Sequence, residues 1–216
     1  MNDSNSKPPG YYDGTRKDML KYIPRNTKTS LEIGCGSGEF SSLLKQRFNA
    51  ETWAIEINEE VGRKAAKKLD NVIIGNAAGS LGKIPDSRFD CIILFDVLEH
   101  LNDPESLLSA LKAKLTTNGV IVASIPNIRY YRVFMQLVMH GNWDYKDQGV
   151  LDRTHLRFFT YKSIIKMFDR LNYQILQIEG IHPTSSRTYK IWNIILLHCF
   201  ADVRYKHFAV VARPRS

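Results

Sequence analysis

Leu31-Glu32-Ile33-Gly34-Cys35-Gly36-Ser37-Gly38 is the stretch on which the fold of this chain turns. Ser30 to Ile33 is short and mostly apolar, as a buried strand is, and the residues after Gly38 to about Phe48 read as a helix. Between them, alternate glycines let the backbone turn sharply and leave main-chain N–H groups open to a ligand with no Cβ in the way. The spacing is G-x-G-x-G, not the G-x-G-x-x-G of dinucleotide loops, which disfavours an NAD-linked dehydrogenase. Glu32 stands two residues before the first glycine. A pyrophosphate has no use for an acid there, whereas a ligand bearing an ammonium does.

Working outward, the periods alternate between strand and helix, which predicts an α/β fold with a mainly parallel sheet. A helix is expected over residues 14–23, stopped by Pro24. Strands are expected at Thr52–Ile57 and Asn71–Ile74, with a charged helix from Glu59 to about Leu69 between them. Cys91-Ile92-Ile93-Leu94-Phe95 is a continuous apolar run, the mark of a strand covered on both faces. Asp103 followed by Pro104 is an N-cap and first-turn signal for a helix reaching about Leu115. Asn118-Gly119 then turns into a strand over Val120–Ile125.

After Pro126 the alternation breaks. A short helix over about 129–139 and a polar, aromatic loop precede a helix capped by Thr160 and spanning about 161–171. Strands follow at about 174–181 and 207–212, with an apolar helix expected near 189–200. One domain over 1–216 is the economical reading, with residues 1–10 disordered and insertions at 126–159 and 182–204 forming a cap. The apolar helix, with Ile191, Trp192, Ile194, Ile195, Leu196 and Leu197, has more than one apolar face. A homodimer contact or a peripheral membrane surface would bury such a helix.

Composition bounds the function. The 30 Lys and Arg exceed the 22 Asp and Glu, for a formal charge of +8, which draws anionic partners or serves solubility alone. The one dense basic cluster, Arg63-Lys64-Lys67-Lys68, has the spacing of a solvated helix face. Cys35, Cys91 and Cys199 are odd in number and unpaired in spacing, which points to a reducing interior and away from a disulfide framework or zinc cluster. With no apolar leader at the start and no run long enough to span a bilayer, a cytoplasmic location is expected.

Glu56 lies at the expected tip of the second strand, about twenty residues past the loop, where a carboxylate accepts ribose hydroxyls. Asn76 follows the third strand, as an adenine contact or a turn residue. These segments resemble class I, Rossmann-like S-adenosyl-L-methionine-dependent methyltransferases over about residues 12–125 and again in the last strands. Leu31–Gly38 is similar to the family's first motif, Ala54-Ile55-Glu56 to its second, and Phe89 to Leu101 to the fourth-strand signature of the small-molecule branch.

The resemblance implies a doubly wound, mainly parallel seven-stranded sheet. It implies a cofactor held by Glu32, Gly34, Cys35, Gly36 and Gly38, by Glu56 with Ile57, by Asn76, and by Phe95 and Asp96. Asn76 departs from the Asp common in the family, which weakens that contact. No Asn-Pro-Pro-Tyr-like motif follows the fourth strand, which disfavours methylation of DNA or protein amino groups.

A second, shorter resemblance covers Ser124-Ile125-Pro126-Asn127 and Asp152 to Thr160, and is to methyltransferases of bacterial glycan biosynthesis. It implies a sugar or other small hydroxyl acceptor. An alcohol attacking the activated methyl gains from a base, and His155 and His100 are the candidates, with Asp152 orienting His155 or capping its turn. Asn127, Tyr130 and Arg157 are expected to touch the acceptor, with Arg153 and Arg129 as further cations for an anionic group. Aromatics at Tyr130, Tyr131, Phe134, Trp143 and Tyr145 serve either a sugar face or ordinary packing.

Glu99-His100 raises the question of a hard cation, but no second Glu or His at helical spacing completes a set, so no metal is expected. The charge and this pair support an RNA methyltransferase as the alternative. A non-catalytic cofactor-binding scaffold is the alternative from another class, and the intact loop with Glu32 and Glu56 speaks against it.

Overall fold

The computed structural model describes residues 15–186, Tyr189 and 201–215. Seven strands form one sheet: β1 Thr29–Ile33, β2 Glu51–Glu56, β3 Asn71–Ile74, β4 Phe89–Phe95, β5 Leu115–Pro126, β6 Tyr173–Pro183 and β7 Tyr205–Pro214. Their order is β3-β2-β1-β4-β5-β7-β6, with β7 antiparallel to both its neighbours and all other pairings parallel. The expected doubly wound α/β sheet is therefore present. The helices are α1 Glu39–Phe48, α2 Glu59–Ala65, α3 Ala77–Ser80, α4 Pro104–Leu111, α5 Tyr131–His140 and α6 Tyr161–Arg170.

The pleat sorts the core into two layers. Leu31, Ile33, Ile92, Leu94, Ile121 and Ala123 face Leu107, Leu108 and Leu111 of α4 and Ile164, Met167 and Phe168 of α6. Ile93, Phe95 and Val122 point the other way, onto Phe40 and Leu44 of α1 and onto Met19 and Tyr22. Central β4 has Cys91 through Leu94 fully buried, which is why that stretch needs apolar residues at every position.

Several boundaries differ from the sequence reading. The first helix is a 3-10 helix, Lys17–Tyr22, entered through Arg16 in the left-handed region (φ 40°). α2 stops at Ala65, and Lys67 and Lys68 lie in the turn beyond it. α4 stops at Leu111 and tightens into a 3-10 turn over Lys112–Lys114. β5 begins at Leu115 because Leu115 pairs with Phe89 before the register shifts and Val120 pairs with Cys91. Asn118-Gly119 is thus an irregularity within the strand and not its start. The capping signals at Asp103 and Thr160 act as expected: Asp103 accepts from the Ser106 amide, and Thr160 and Ser163 form a reciprocal capping box. The apolar helix expected at 189–200 and the amino-terminal residues 1–10 lie outside the described residues, apart from Tyr189, whose ring meets Tyr131 edge-on at 5.6 Å.

Gly119 sits in the irregularity with no room for a side chain, since an added Cβ would lie 2.7 Å from the Phe89 carbonyl oxygen and 3.0 Å from the Thr116 amide nitrogen. Gly82 has nothing within 4 Å of the same position. Gly119→Ala is therefore expected to lower stability by about 1–3 kcal/mol, seen as a lower urea midpoint. Gly82→Ala is expected to be neutral or to raise stability by up to ~1 kcal/mol through the unfolded chain. Equal midpoints for the two variants would contradict this reading of β5.

Candidate functional site

The sheet reverses direction of winding between β1 and β4, so the loops leaving their carboxyl ends diverge and open a crevice. The glycine loop occupies one wall. Gly34, Gly36 and Gly38 all adopt positive φ (72°, 54° and 80°). A Cβ on Gly34 would meet Val97 at 2.9 Å, and one on Gly38 would meet Ala65 at 3.1 Å. Glycine is required here by conformation and by space.

Two buried carboxylates flank the loop. Glu32, on the α1 side of β1, accepts from Ser41 Oγ at 2.6 Å. Burial pushes its pKa up to about 7, against the hydrogen bonds from Ser41; nearby Glu56 raises it further and Arg16 lowers it. Glu56, at the end of β2, accepts from the Gly36 amide at 2.8 Å and the Asn58 amide at 2.9 Å, which ties the loop to the second strand. Beside it Ile57 is 63% exposed and Ile74, at the end of β3, is 39% exposed. They are two apolar side chains held open at the crevice rim. Asn76 caps α3, its Oδ1 accepting from the Gly79 amide at 2.7 Å. Cys35 is buried with its thiol donating to the Gly36 carbonyl at 3.4 Å, and burial pushes its pKa up.

Phe95 and Asp96 end β4. Phe95 packs edge-on to Phe40 at 4.8 Å, with the Arg16 guanidinium 5.3 Å from its ring centre. Asp96 has positive φ (54°) and accepts from Ser124 Oγ at 2.8 Å and from Arg16 Nη1. Burial alone would raise its pKa, but His207, 3.7 Å away, and Arg16 hold it below the usual carboxylate range. Nε and Nη2 of Arg16 are buried with no hydrogen-bond partner among the described residues, although Nε has Asp18 at 3.7 Å. Sequence reading missed Arg16, Ser41 and His207. No local pattern marks them, because their partners come from other elements.

The opposite wall is built by the insertion after β5, which folds back onto the turn that follows β4. The amides of Leu156 and Arg157 both donate to the Glu99 carbonyl, at 2.8 and 3.0 Å. The Arg157 guanidinium donates to the Asn102 carbonyl. This docking brings His155 against His100, ring centres 4.7 Å apart and edge to face. His155 donates Nδ1–H to the Val150 carbonyl at 3.0 Å, and a carbonyl can only accept, so its lone pair is on Nε2. His100 Nδ1 lies 3.1 Å from the Thr154 hydroxyl and 3.2 Å from the Thr154 carbonyl. His155 Nε2 lies 3.9 Å from Glu99 Oε1. Burial, with His100 second, lowers the His155 pKa to about 4, not the ordinary value near 6.5 expected for a base working at neutral pH. Burial, then Asp96, pushes the Glu99 carboxyl well above its usual range.

Other expected contacts resolve differently. Asp152 accepts from the Thr154 amide and hydroxyl, at 2.9 and 2.7 Å, so it caps the turn while the Val150 carbonyl fixes the His155 tautomer. Asn127 is fully buried; its Nδ2 donates to the Asp202 and Tyr205 carbonyls and its Oδ1 accepts from the Arg129 amide. That side chain fastens β5 to the segment before β7, and the expectation that it touches the acceptor is corrected. Arg129 pairs with Asp202 and Arg153 with Asp147, both at 2.8 Å. Tyr130 packs with Ile128 and Trp143 on Val133, Val150 and Leu151, a small core belonging to the insertion. Three of the four cations of the basic cluster are paired: Arg63 with Glu59, Lys64 with Glu60 and Lys68 with Glu39. Among the described residues no helix is long and apolar enough to cross a membrane.

Comparison with known proteins agrees with this geometry. An S-adenosylmethionine-dependent methyltransferase from Archaeoglobus fulgidus superposes with a TM-score of 0.68 at 21% identity, covering 93% of each chain, which shows the shared fold. A ubiquinone biosynthesis O-methyltransferase from Actinobacillus pleuropneumoniae is 25% identical over 174 residues, 76% of this chain and 73% of that protein. A malonyl-[acyl-carrier protein] O-methyltransferase from Haemophilus influenzae is 28% identical over 107 residues, 49% of this chain and 41% of that protein. The chain thus matches less than half the length of that relative. The family described as "Methyltransferase domain" matches residues 8–178. The chain belongs to this methyltransferase-domain family, and has the Rossmann-like fold of S-adenosylmethionine-dependent methyltransferases.

Proposed function

We propose that the protein O-methylates a hydroxyl of a small molecule held between the glycine loop and the insertion over residues 126–159. The observation that supports this reading is the docking of His155 beside Glu99 and His100, with the His155 lone pair on Nε2 available to a hydroxyl. The relatives named as O-methyltransferases support oxygen as the target atom. A sugar or glycan hydroxyl is the narrower acceptor class, and it rests on the sequence of Ser124–Asn127 and Asp152–Thr160 alone. An RNA substrate is the second reading, supported by the formal charge of +8 and by Glu99-His100.

The cofactor supplies an electrophilic methyl on a sulfonium. The residues present fit it: three glycines at positive φ turn the loop between the buried acids Glu32 and Glu56, and Arg16 keeps two buried donors without hydrogen-bond partners among the described residues. In this proposal Glu32 receives the ammonium and Arg16 the carboxylate of the methionine part. Glu56 takes the ribose hydroxyls, Ile57 and Ile74 flank the adenine, and Phe95 and Asp96 line the methionine part. The chain then works chiefly by positioning the acceptor and excluding water.

S-adenosylhomocysteine is expected to bind in isothermal titration, and Gly36→Val or Glu56→Ala to weaken it about 100-fold or more, since either change fills or empties the cradle. Binding of NAD in its place would sink the assignment.

Glu32 gives a pH dependence with a definite sign. Facing Ser41, Arg16 and Glu56, it holds a proton up to about pH 7 in the free protein and must lose it to receive an ammonium. Affinity for S-adenosylhomocysteine should therefore fall as pH drops below 7, by up to ~10-fold per unit. Binding at pH 6 should release a proton, measurable as a buffer-dependent enthalpy. Glu32→Gln should flatten this slope, and a slope unchanged in the variant would remove Glu32 from the role.

Tritium-labelled S-adenosylmethionine incubated with host extract, followed by fractionation, identifies the acceptor. On that acceptor His155→Ala is expected to lower kcat roughly 10²-fold with S-adenosylhomocysteine affinity nearly unchanged. Label recovered in RNA would overturn the small-molecule reading.

A further inference from the structure

Glu99 is the one carboxylate of the crevice that the protein leaves uncompensated. Its side chain is fully buried, and neither oxygen has a hydrogen-bond partner among the described residues. Glu32 and Glu56 are each held by donors, and Asp96 by Ser124 and Arg16. A buried carboxylate without a donor or counter-charge is costly, so the group either holds a proton or pairs with something bound. The surroundings of Glu99 offer a lone pair instead of a proton. His155 spends Nδ1–H on the Val150 carbonyl, so its Nε2 lone pair is turned to Glu99, and one ring nitrogen of His100 lies in the same group. Anchoring one ring nitrogen on a carbonyl while the other is a lone pair is how metal-binding imidazoles are oriented.

From this arrangement we propose a divalent transition-metal site made by Glu99, His100 and His155. One ligand atom from each lies within 4.8 Å of the others, and His155 Nε2 is 3.9 Å from Glu99 Oε1. Metal bonds of about 2.1 Å place two ligands of one ion roughly 3–4 Å apart, so the three side chains converge with shifts below ~1 Å. Two imidazoles and one carboxylate suit zinc, iron or manganese better than magnesium or calcium, which favour oxygen ligands. Three protein ligands leave positions open, as catalytic metal sites do. The inference deepens the O-methylation reading and rests on it for its purpose: an acceptor hydroxyl on an open position would bind as the acidified oxygen, its proton leaving to solvent. It also replaces the expectation of a metal-free site. That expectation looked for a further ligand at helical spacing, and His155 arrives from the other side of a crossover.

The test uses the full chain after EDTA treatment and dialysis. One equivalent of Co²⁺ should bind with a ligand-field absorption band in the visible, and Zn²⁺ should compete for it. Glu99→Gln and His155→Gln should each weaken binding about 10-fold or more. S-adenosylhomocysteine titration of the same variants reports that the fold is intact. Zinc-edge X-ray absorption of the wild-type protein should show two imidazole ligands, a readout that does not depend on any variant folding. Absence of stoichiometric binding, binding unchanged in folded variants, or a sulfur or all-oxygen shell around zinc would each overturn the site. If S-adenosylhomocysteine binds while no metal does, the metal site fails and the methyltransferase reading stands.

Discussion

The parallel pairing of β1 with β4 is the constraint on which the rest of the molecule depends. Ser30 lies against Cys91 and Ile33 against Leu94, and both strands are covered on both faces. Because β2 and β3 extend the sheet on one side and β5 on the other, the chain leaves β1 and β4 in opposite directions. The loops that follow β1 and β4 therefore diverge across a gap. Strand register alone sets Glu32 beside Ile93 and brings the glycine loop level with Phe95 and Asp96. A one-residue slip would turn Glu32 to the opposite layer and take it away from Ser41.

Four acidic side chains then gather at the carboxyl ends of β1, β2 and β4, and three of them are stabilised, each in its own way. Glu32 leans on a hydroxyl and gains a proton near neutrality. Glu56 is held by two main-chain amides, which also fasten the glycine loop to β2. Asp96 is held by Arg16, Ser124 and His207, drawn from the amino-terminal segment, β5 and β7. Glu99 has neither donor nor cation among the described residues. The contrast separates acids that the fold satisfies from the one that must hold a proton or pair with something bound.

The insertion is attached mainly through its backbone. Two consecutive amides on the Glu99 carbonyl tie it to the turn after β4, the Ile128 amide on the Phe159 carbonyl closes its two ends together, and the Asn127 side chain ties it to the start of β7. Its private core of Val133, Val150 and Leu151 is small, while Leu137, Val138 and Met139 on α5 stay exposed. A loop fixed by main-chain bonds can carry varied side chains over a constant scaffold, which is how such folds change acceptors.

Much of the frame is written in local sequence. The apolar run at β4, the glycine spacing after β1, and the caps at Asp103 and Thr160 each act over a few residues, so periodicity and capping chemistry expose them directly. The glycine loop and its two flanking acids were legible for the same reason, since Glu32, the glycines and Glu56 occur at strand ends whose positions follow from pattern. Element boundaries at α2, α4 and β5 were set by tertiary contacts and were not. The acceptor wall was readable only as candidates. Asn127 looks like a binding residue and proves to be a fastener, while His155 meets His100 across 55 positions of chain because a crossover and two amide bonds return it there. Sequence by itself determined which strands are buried, where the glycine loop lies and which residue types surround it. Tertiary structure alone decided which acids are satisfied and which imidazoles converge, because hydrogen bonding and convergence depend on distances of a few ångströms between segments far apart in the chain.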